Sequence, residues 1–396
     1  MNTREKYKKY IVGNYGEPSL VLNKAKGTYV YDESDKKYLD FGAGIAVLSL
    51  GHSNAYWLKA ITEQAGKMVH CSNLYANEPQ ANLAEKLVTK AKFGKVFFCN
   101  SGAEANEALI KSARLYGETF ESPRHKIIVA KNSFHGRTMA TLSATMQEKV
   151  QKHFAPYVPT FLEAEFNNIE SFAKYLEQGD IAGVLIEPIQ GESGVLPADK
   201  KFLKELRALC DKHSSLLFFD EVQCGIARTS KFYAFQKFGV VPDGISMAKG
   251  LGSGFPIGAV LIKEKIADLF VAGTHGTTYG GNPLACSAGL AVVEYIDKKN
   301  ICDNVKAMSK ILKSGLDKLV KKYSNVIKLA RGEGLMLAIL LQDEYLNSSV
   351  VAKLMQNGLI TIPAGANAIR FLPPLTVKEN EIKKALDILE KTLKSL

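Results

Sequence analysis

The chain has 396 residues, 46% hydrophobic and 23% charged, with a net charge of +11 that comes from 43 lysines and 8 arginines against 40 carboxylates. That length exceeds one ordinary core and predicts a large domain joined to a smaller one, while no apolar run approaches the ~20 residues that cross a bilayer. The six cysteines (Cys71, Cys99, Cys210, Cys224, Cys286 and Cys302) form no CxxC pair, which argues against a metal site of the common spacing and suits a reducing cytoplasm.

The first residues, MNTREKYKKYIVGNYG, lack the apolar centre of a secretion signal. YVYDESDKKYLDFGAG (29–44) reads as a hairpin that packs with the C-terminal part. Short apolar runs then alternate with amphipathic stretches: VFFC (96–99), KIIVA (126–130), AGVLIE (182–187), SLLFFD (215–220), GISMA (244–248) and GAVLI (258–262). Continuous rather than alternating apolarity predicts an α/β fold whose mostly parallel sheet is covered by helices on both faces. NEALIKSARLYG (106–117) and KKFLKELRALCDKH (200–213) carry helical spacing. From about residue 291 a long helix (291–323) leads into VIKLARGEGLMLAILL, GLITIPAG, AIRFLPPL and a last helix (378–395), the pattern of a small α+β domain. The expected parts are 1–50, packing with the small domain, 51–290 as the large domain and 291–396 as the small one. The lysines are dispersed, and between Lys298 and Lys328 they mix with Asp303, Asp317 and apolar residues, as on a solvated helix face. Neither nucleic acid nor a membrane is the expected partner; an anionic small substrate accounts better for the positive charge.

Ligands of open α/β sheets collect beyond the carboxyl ends of the strands. The apolar runs are followed there by NSGAEANE, KNSFHGRT, EPIQGESG, DEVQCG and KGLGSG. SGAE (101–104) fits a capping box, Ser101 with Glu104, at a helix start able to hold phosphate; it also fits a plain capped helix. Neither GxxxxGK nor GxGxxG occurs. Asp220 ends an apolar run and needs a partner, and Phe134 is either a core aromatic or a face for a flat ring. Lys249 lies among small uncharged residues, with room to react. Together these meet the needs of pyridoxal phosphate: a lysine for its aldehyde, an aspartate for its pyridine nitrogen, a stacking face and a phosphate cup.

DEVQCG with SMAKG, SGAEANE, FHGRT, GTTYGGNPL and ARGEGLML resemble the class III aminotransferases, pyridoxal-phosphate enzymes of fold type I. The resemblance runs from about Tyr15 to the last helix. It implies Lys249 as the lysine bonded to the cofactor, Asp220 as the pyridine partner and Gln223 at the ring's phenolic oxygen. Val222 and Phe134 match the two sides of the ring, and Ser101, Gly102 and Ala103 the phosphate cup. Thr278 matches a phosphate ligand supplied by the second subunit of a homodimer, and Thr277 its substrate-side neighbour. Arg137 matches the residue that grips a distal carboxylate, Arg370 the one that grips the α-carboxylate of glutamate, and Glu192 a switch that covers Arg370. Tyr15 falls where relatives carry a substrate-side tyrosine. FGAGIAVLSLGH (41–52) and SNLYANEPQ (72–80) most resemble the acetylornithine aminotransferase branch, and Ile45 replaces the tyrosine of ornithine aminotransferases. The implied reaction moves the δ-amino group of N2-acetyl-L-ornithine to 2-oxoglutarate, giving N-acetylglutamate 5-semialdehyde and glutamate, in arginine biosynthesis. Ornithine, 4-aminobutyrate and succinyl-diaminopimelate are alternative amines; a non-enzymatic nucleic-acid binder is the distant rival.

Overall fold

The apolar runs form one seven-stranded sheet in the computed structural model, which describes residues 1–396. An N-terminal meander of β1 (Leu22–Lys26), β2 (Tyr29–Asp32) and β3 (Lys37–Asp40) comes first. Then follow β4 (Lys95–Cys99), β5 (Lys126–Ala130), β6 (Phe161–Ala164), β7 (Ile181–Ile186), β8 (Leu216–Asp220), β9 (Gly244–Met247) and β10 (Gly258–Ile262). Their spatial order is β4-β10-β9-β8-β7-β5-β6, and only β10 runs antiparallel to its neighbours. Side chains alternate across each strand, so Phe218 enters one core while Leu217 and Phe219 enter the other. Both faces bury apolar groups, which is why the sequence shows continuous rather than alternating apolarity. One face is covered by α1 (Gly102–Gly117), through Ala105, Leu109 and Ala113. On the other, Phe202, Leu203 and Leu206 of α2 (Lys200–Lys212) join the larger core.

The helix expected at 291–323 is two helices. α3 (Pro283–Lys298) packs on helices 55–65 and 78–91, and α4 (Ile301–Lys322) packs on the C-terminal sheet and the last helix. Asn300 separates them in a left-handed conformation, φ 48°, which a helix cannot continue through. The C-terminal sheet is antiparallel, with β11 (Ile327–Glu333), β12 (Met336–Leu341), β13 (Ile362–Ala364) and β14 (Ala368–Phe371) in the order β11-β12-β14-β13. The short strand 359–360 pairs instead with β3 and joins the N-terminal meander to this end of the molecule.

The expected capping box at the start of α1 is half formed. Ser101 Oγ accepts the Glu104 amide at 3.2 Å, but the Glu104 carboxylate reaches one residue further back, to the Asn100 amide and side chain. Asn100 closes the turn after β4 and offers two donors, which outcompete the single Ser101 amide.

The loop after β8 is held from inside. Glu221 is fully buried and accepts the amides of Ala234 and Phe235, at 2.6 and 2.7 Å, at the start of the short helix 234–238. Burial pushes its carboxyl up to about 8 against the pull of those amides. Glu221→Ala leaves two buried donors unpaired; at about 1–3 kcal/mol each, denaturant unfolding is expected to show a loss of several kcal/mol, about 2–5 in total.

Candidate active site

The carboxyl ends of β4, β5, β7, β8 and β9 open into one cavity of about 440 Å³. Its lining includes Ser101, Gly102, Ala103, Phe134, Arg137, Asp220, Val222, Gln223 and Lys249. These come from four different strand ends, Glu187 and Ile189 add the end of β7, and the sheet is what brings them together.

Lys249 lies two residues after the end of β9. Its backbone is left-handed at φ 40°, a conformation that costs a residue with a side chain about 1–3 kcal/mol. The turn is held by Leu251 N–H to Ala248 O, at 2.8 Å, and by Ser49 Oγ, which donates to Gly250 O at 2.8 Å. Burial lowers the lysine's pKa from its ordinary value, and Glu192 partly opposes that shift. A buried amine of lowered pKa is a ready nucleophile and base.

Asp220 ends β8 with 4% exposure and three donors. Oδ2 accepts from Asn106 Nδ2 at 2.7 Å and from His135 Nδ1 at 2.8 Å; Oδ1 accepts from Val222 N–H at 3.0 Å. Asn106 and His135 carry no role in the sequence reading. Asn106 lies one helical turn beyond Gly102, on the same face of α1, a spacing that could have revealed it. His135 stands inside the FHGRT motif, and its contact with a residue 85 positions away has no local signature. Glu187, just after β7, is buried in the cavity wall and accepts the Phe134 amide at 3.4 Å. Burial, and then the nearby Asp220, raise its pKa well above the usual carboxylate value.

At the head of α1, Ser101 accepts the amides of Glu104 and Ala105 through Oγ and its carbonyl oxygen. The amides of Gly102 and Ala103, first and second in the helix, are left without helical acceptors and line the cavity. A Cβ on Gly102 would stand 2.9 Å from Val222 Cγ1, so the cup is closed to any larger residue. Phe134 and Val222 both line the cavity. A planar, phosphate-bearing aldehyde with a ring nitrogen fits this donor set: amides for the anion, apolar groups for the ring, Asp220 for the nitrogen and Lys249 for the carbonyl carbon.

Arg370 lies on β14 with 1% exposure. Its Nη1 and Nη2 grip Glu192 Oε1 and Oε2, at 2.6 and 3.1 Å, and Nη1 also meets Gln223 Oε1 at 3.2 Å. Burial works to raise the pKa of Glu192, yet the guanidinium outweighs it and holds the carboxyl below its ordinary value. Arg137 is exposed at the cavity mouth, with its guanidinium 5.5 Å from the centre of the Phe134 ring. The two arginines therefore differ: one is covered by a carboxylate and the other is open.

Five of the expected residues do not line this cavity within one chain; Arg370 and Glu192 meet it only through Gln223, which both contact. Thr277 and the exposed Thr278 line a neighbouring cavity that shares Asn100 with the first, where Asn100 Nδ2 donates to Thr277 Oγ1 at 3.2 Å. Tyr15 ends a short turn of residues 13–15 and is 94% exposed.

Residues 10–393 match the family described as aminotransferase class-III. The acetylornithine aminotransferase of Clostridium acetobutylicum is 46% identical over 98% of this chain and 100% of its own length. The solved structure of acetylornithine aminotransferase from Elizabethkingia anophelis is 33% identical, covers 99% of this chain and 98% of its own, and superposes with a TM-score of 0.88. The structure of ornithine aminotransferase from Toxoplasma gondii with pyridoxal phosphate partly occupying its active site is 28% identical and superposes with a TM-score of 0.95, covering 99% of this chain and 93% of its own. The family match over nearly the whole chain agrees with the cavity that its strand ends build, and the chain belongs to the class-III aminotransferases.

Proposed function

We propose that this chain transfers the δ-amino group of N2-acetyl-L-ornithine to 2-oxoglutarate. The observation that carries the reading is a pair of arginines, Arg137 uncovered in the cavity lining and Arg370 covered by Glu192 just behind Gln223 of that lining. Such a site takes two substrates in turn, one with a single carboxylate and one with two. With the ω-amine in place, Arg137 holds its distal carboxylate and Glu192 keeps Arg370 neutralised, since an uncovered guanidinium in a dry pocket is costly. With glutamate or 2-oxoglutarate, Glu192 moves aside and both arginines bind carboxylates bidentately.

Pyridoxal phosphate, when bound, supplies an aldehyde and an electron-withdrawing ring that stabilises negative charge at the substrate carbon. Lys249 holds that aldehyde between turnovers and carries the proton between substrate and cofactor carbons. Asp220, steadied by Asn106 and His135, keeps the ring nitrogen protonated. Val222 and Phe134 hold the ring plane, Gln223 holds its phenolic oxygen, and the α1 amides with Ser101 hold the phosphate. Ile45 favours an acylated amine over ornithine, because it offers no acceptor to a free α-ammonium group. The 46% identical relative named acetylornithine aminotransferase supports the same choice. Ornithine, 4-aminobutyrate and succinyl-diaminopimelate are the competing amines, and a substrate panel separates them.

The proposal includes a homodimer in which a second copy brings Thr278 to the phosphate and Thr277 and Tyr15 to the substrate. Support comes from the exposed apolar groups Leu74 and Tyr75, inside the SNLY motif, and Val271 and Tyr279, both within eight residues of Thr278. The chain has no helix long and apolar enough to cross a membrane. A cytoplasmic setting is proposed from its six free cysteines.

The holoenzyme is expected to be yellow and to bleach with either N-acetylornithine or glutamate in single half-reactions; a spectrum that glutamate leaves unchanged would falsify the aminotransferase reading. Lys249→Ala is expected to lower turnover by at least about 10³-fold while the cofactor remains non-covalently held, as gel filtration after borohydride treatment reports. Glu192→Ala uncovers Arg370 and is expected to weaken the N-acetylornithine half-reaction about tenfold with glutamate much less affected, measured as the ratio of the two bleaching rates. The lowered pKa of Lys249 means that its neutral amine is reached at lower pH than in a free lysine. Capture of the cofactor by the apoenzyme should therefore speed up as pH rises, with a midpoint below 10.5, read from the growth of visible absorbance.

A further inference from the structure

Arg228 is one of the two largest fully buried side chains, the other being Arg370. Arg207, by contrast, is held by two carboxylates, Asp211 and Asp243. Arg228 meets none. Nη1 donates to Leu335 O at 3.1 Å and to Pro373 O at 2.6 Å, and Nη2 finds no acceptor. With nothing but carbonyl oxygens around it, burial alone lowers its pKa to about 9, so it still carries its charge at neutral pH.

A buried charge without a counter-charge is a poor way to gain stability. What it fixes is geometry. Leu335 immediately precedes β12, and Pro373 lies two residues after β14. Those strands are paired, with Ala338 opposite Arg370. The Leu335 amide returns a hydrogen bond to Arg228 O at 3.0 Å. Gly334 lets the two backbones approach, since its φ is +59° and a Cβ there would stand 2.2 Å from Arg228 O.

The contacts close a ring. From Gln223 the chain runs five residues to Arg228, crosses by hydrogen bond to Pro373, runs back three residues to Arg370 and crosses by hydrogen bond to Gln223 Oε1. One side of this ring belongs to the loop after β8, which carries Val222 and Gln223. The other is the strand that carries Arg370. The distance between Arg370 and the cofactor bed is therefore set at two points, and Arg228 is the one outside the cavity.

We propose that Arg228 is a positioning residue for Arg370, and through it a determinant of how the site binds the α-carboxylate of the dicarboxylic substrate. This rests on the assignment of Arg370 above. The test measures the two half-reactions separately in Arg228→Met, Arg228→Gln and Arg228→Lys holoenzymes, beside Arg370→Lys. Arg228→Met is expected to raise the glutamate concentration for half-maximal bleaching about tenfold, as displacement of a binding group does, with N-acetylornithine shifted less than about threefold. Arg228→Lys, which keeps a charged donor of similar reach, is expected to recover part of the loss, Arg228→Gln, a shorter donor, less of it, and the holoenzyme absorbance spectrum should stay that of the parent. Parallel losses in both half-reactions, or a parent-like response to glutamate, overturn the proposal. If Arg228→Met does not fold, the Gln and Lys variants decide by the same ratio. An unaffected glutamate response in Arg370→Lys would instead overturn the assignment of Arg370, independently of Arg228.

Discussion

A carboxylate at the end of a buried strand organises this site. Asp220 is almost fully withdrawn from water, and a buried charge of that kind is tolerated only when donors surround it. Its three donors come from three different places: Asn106 on α1, His135 on the loop after β5 and the Val222 amide on its own loop. Each of those places also carries part of the proposed binding site: the free amides of Gly102 and Ala103, the Phe134 ring, and Val222 with Gln223. Satisfying one charge thus fixes the relative position of groups that the chain separates by more than a hundred residues. The same carboxylate then faces the cavity, with its orientation already determined.

The second buried ion has a different logic. Arg370 is neutralised by Glu192, whose loop is fastened to the C-terminal sheet by Gly365 N–H to Glu192 O at 2.8 Å and by Arg331, which donates to the carbonyls of Ser193 and Gly194. The backbone of that loop is held firmly, while the Glu192 side chain keeps 27% of its surface exposed. A fixed backbone with a partly solvated side chain allows a rotamer exchange without a loop rearrangement, which suits a site that must accept one or two carboxylates in alternation. Lys249 lies within the field of this pair: Glu192 raises its proton affinity and Arg370 lowers it. Movement of Glu192 therefore changes the electrostatic setting of the amine as well as the shape of the pocket.

Much of this was legible in the sequence because it is local. The strands 126–130 and 258–262 coincide with their apolar runs, since a strand buried on both faces has no reason to alternate. Lys249, Asp220, Phe134 and Ser101 were readable as chemistry placed at strand ends, and the cavity lining includes all four. Where the reading failed, a competing local donor or a single backbone conformation decided. Glu104 chose Asn100 over Ser101, and Asn300 took a left-handed turn inside what looked like one continuous helix. The contacts of His135 with Asp220 and of Arg228 with Pro373 span 85 and 145 positions, and no spacing rule reaches that far. Thr277, Thr278 and Tyr15 belong to another category: resemblance suggested their roles, and their own chain leaves them outside the cavity.

The ornithine aminotransferase superposes with a TM-score of 0.95 and the acetylornithine aminotransferase with one of 0.88, although sequence identity, 28% against 33%, favours the latter. The backbone therefore does not encode the choice of amine. That choice falls to side chains, and residues 43–46 show how firmly one of them can be presented. Ala43, Gly44, Ile45 and Ala46 all take positive φ, an arrangement disfavoured for every one of them except the glycine. Asp40 offsets the cost by accepting the amides of Gly42 and Ala43 at 2.9 and 2.8 Å, and it is itself held by His52 at 2.8 Å. A β-branched residue kept in such a conformation, 40% exposed beside the segment that supplies Val47 to the cavity, is set by the backbone and not by its own packing. On the proposed role of Ile45, its identity can change while the fold around it does not, which would let two activities share one architecture.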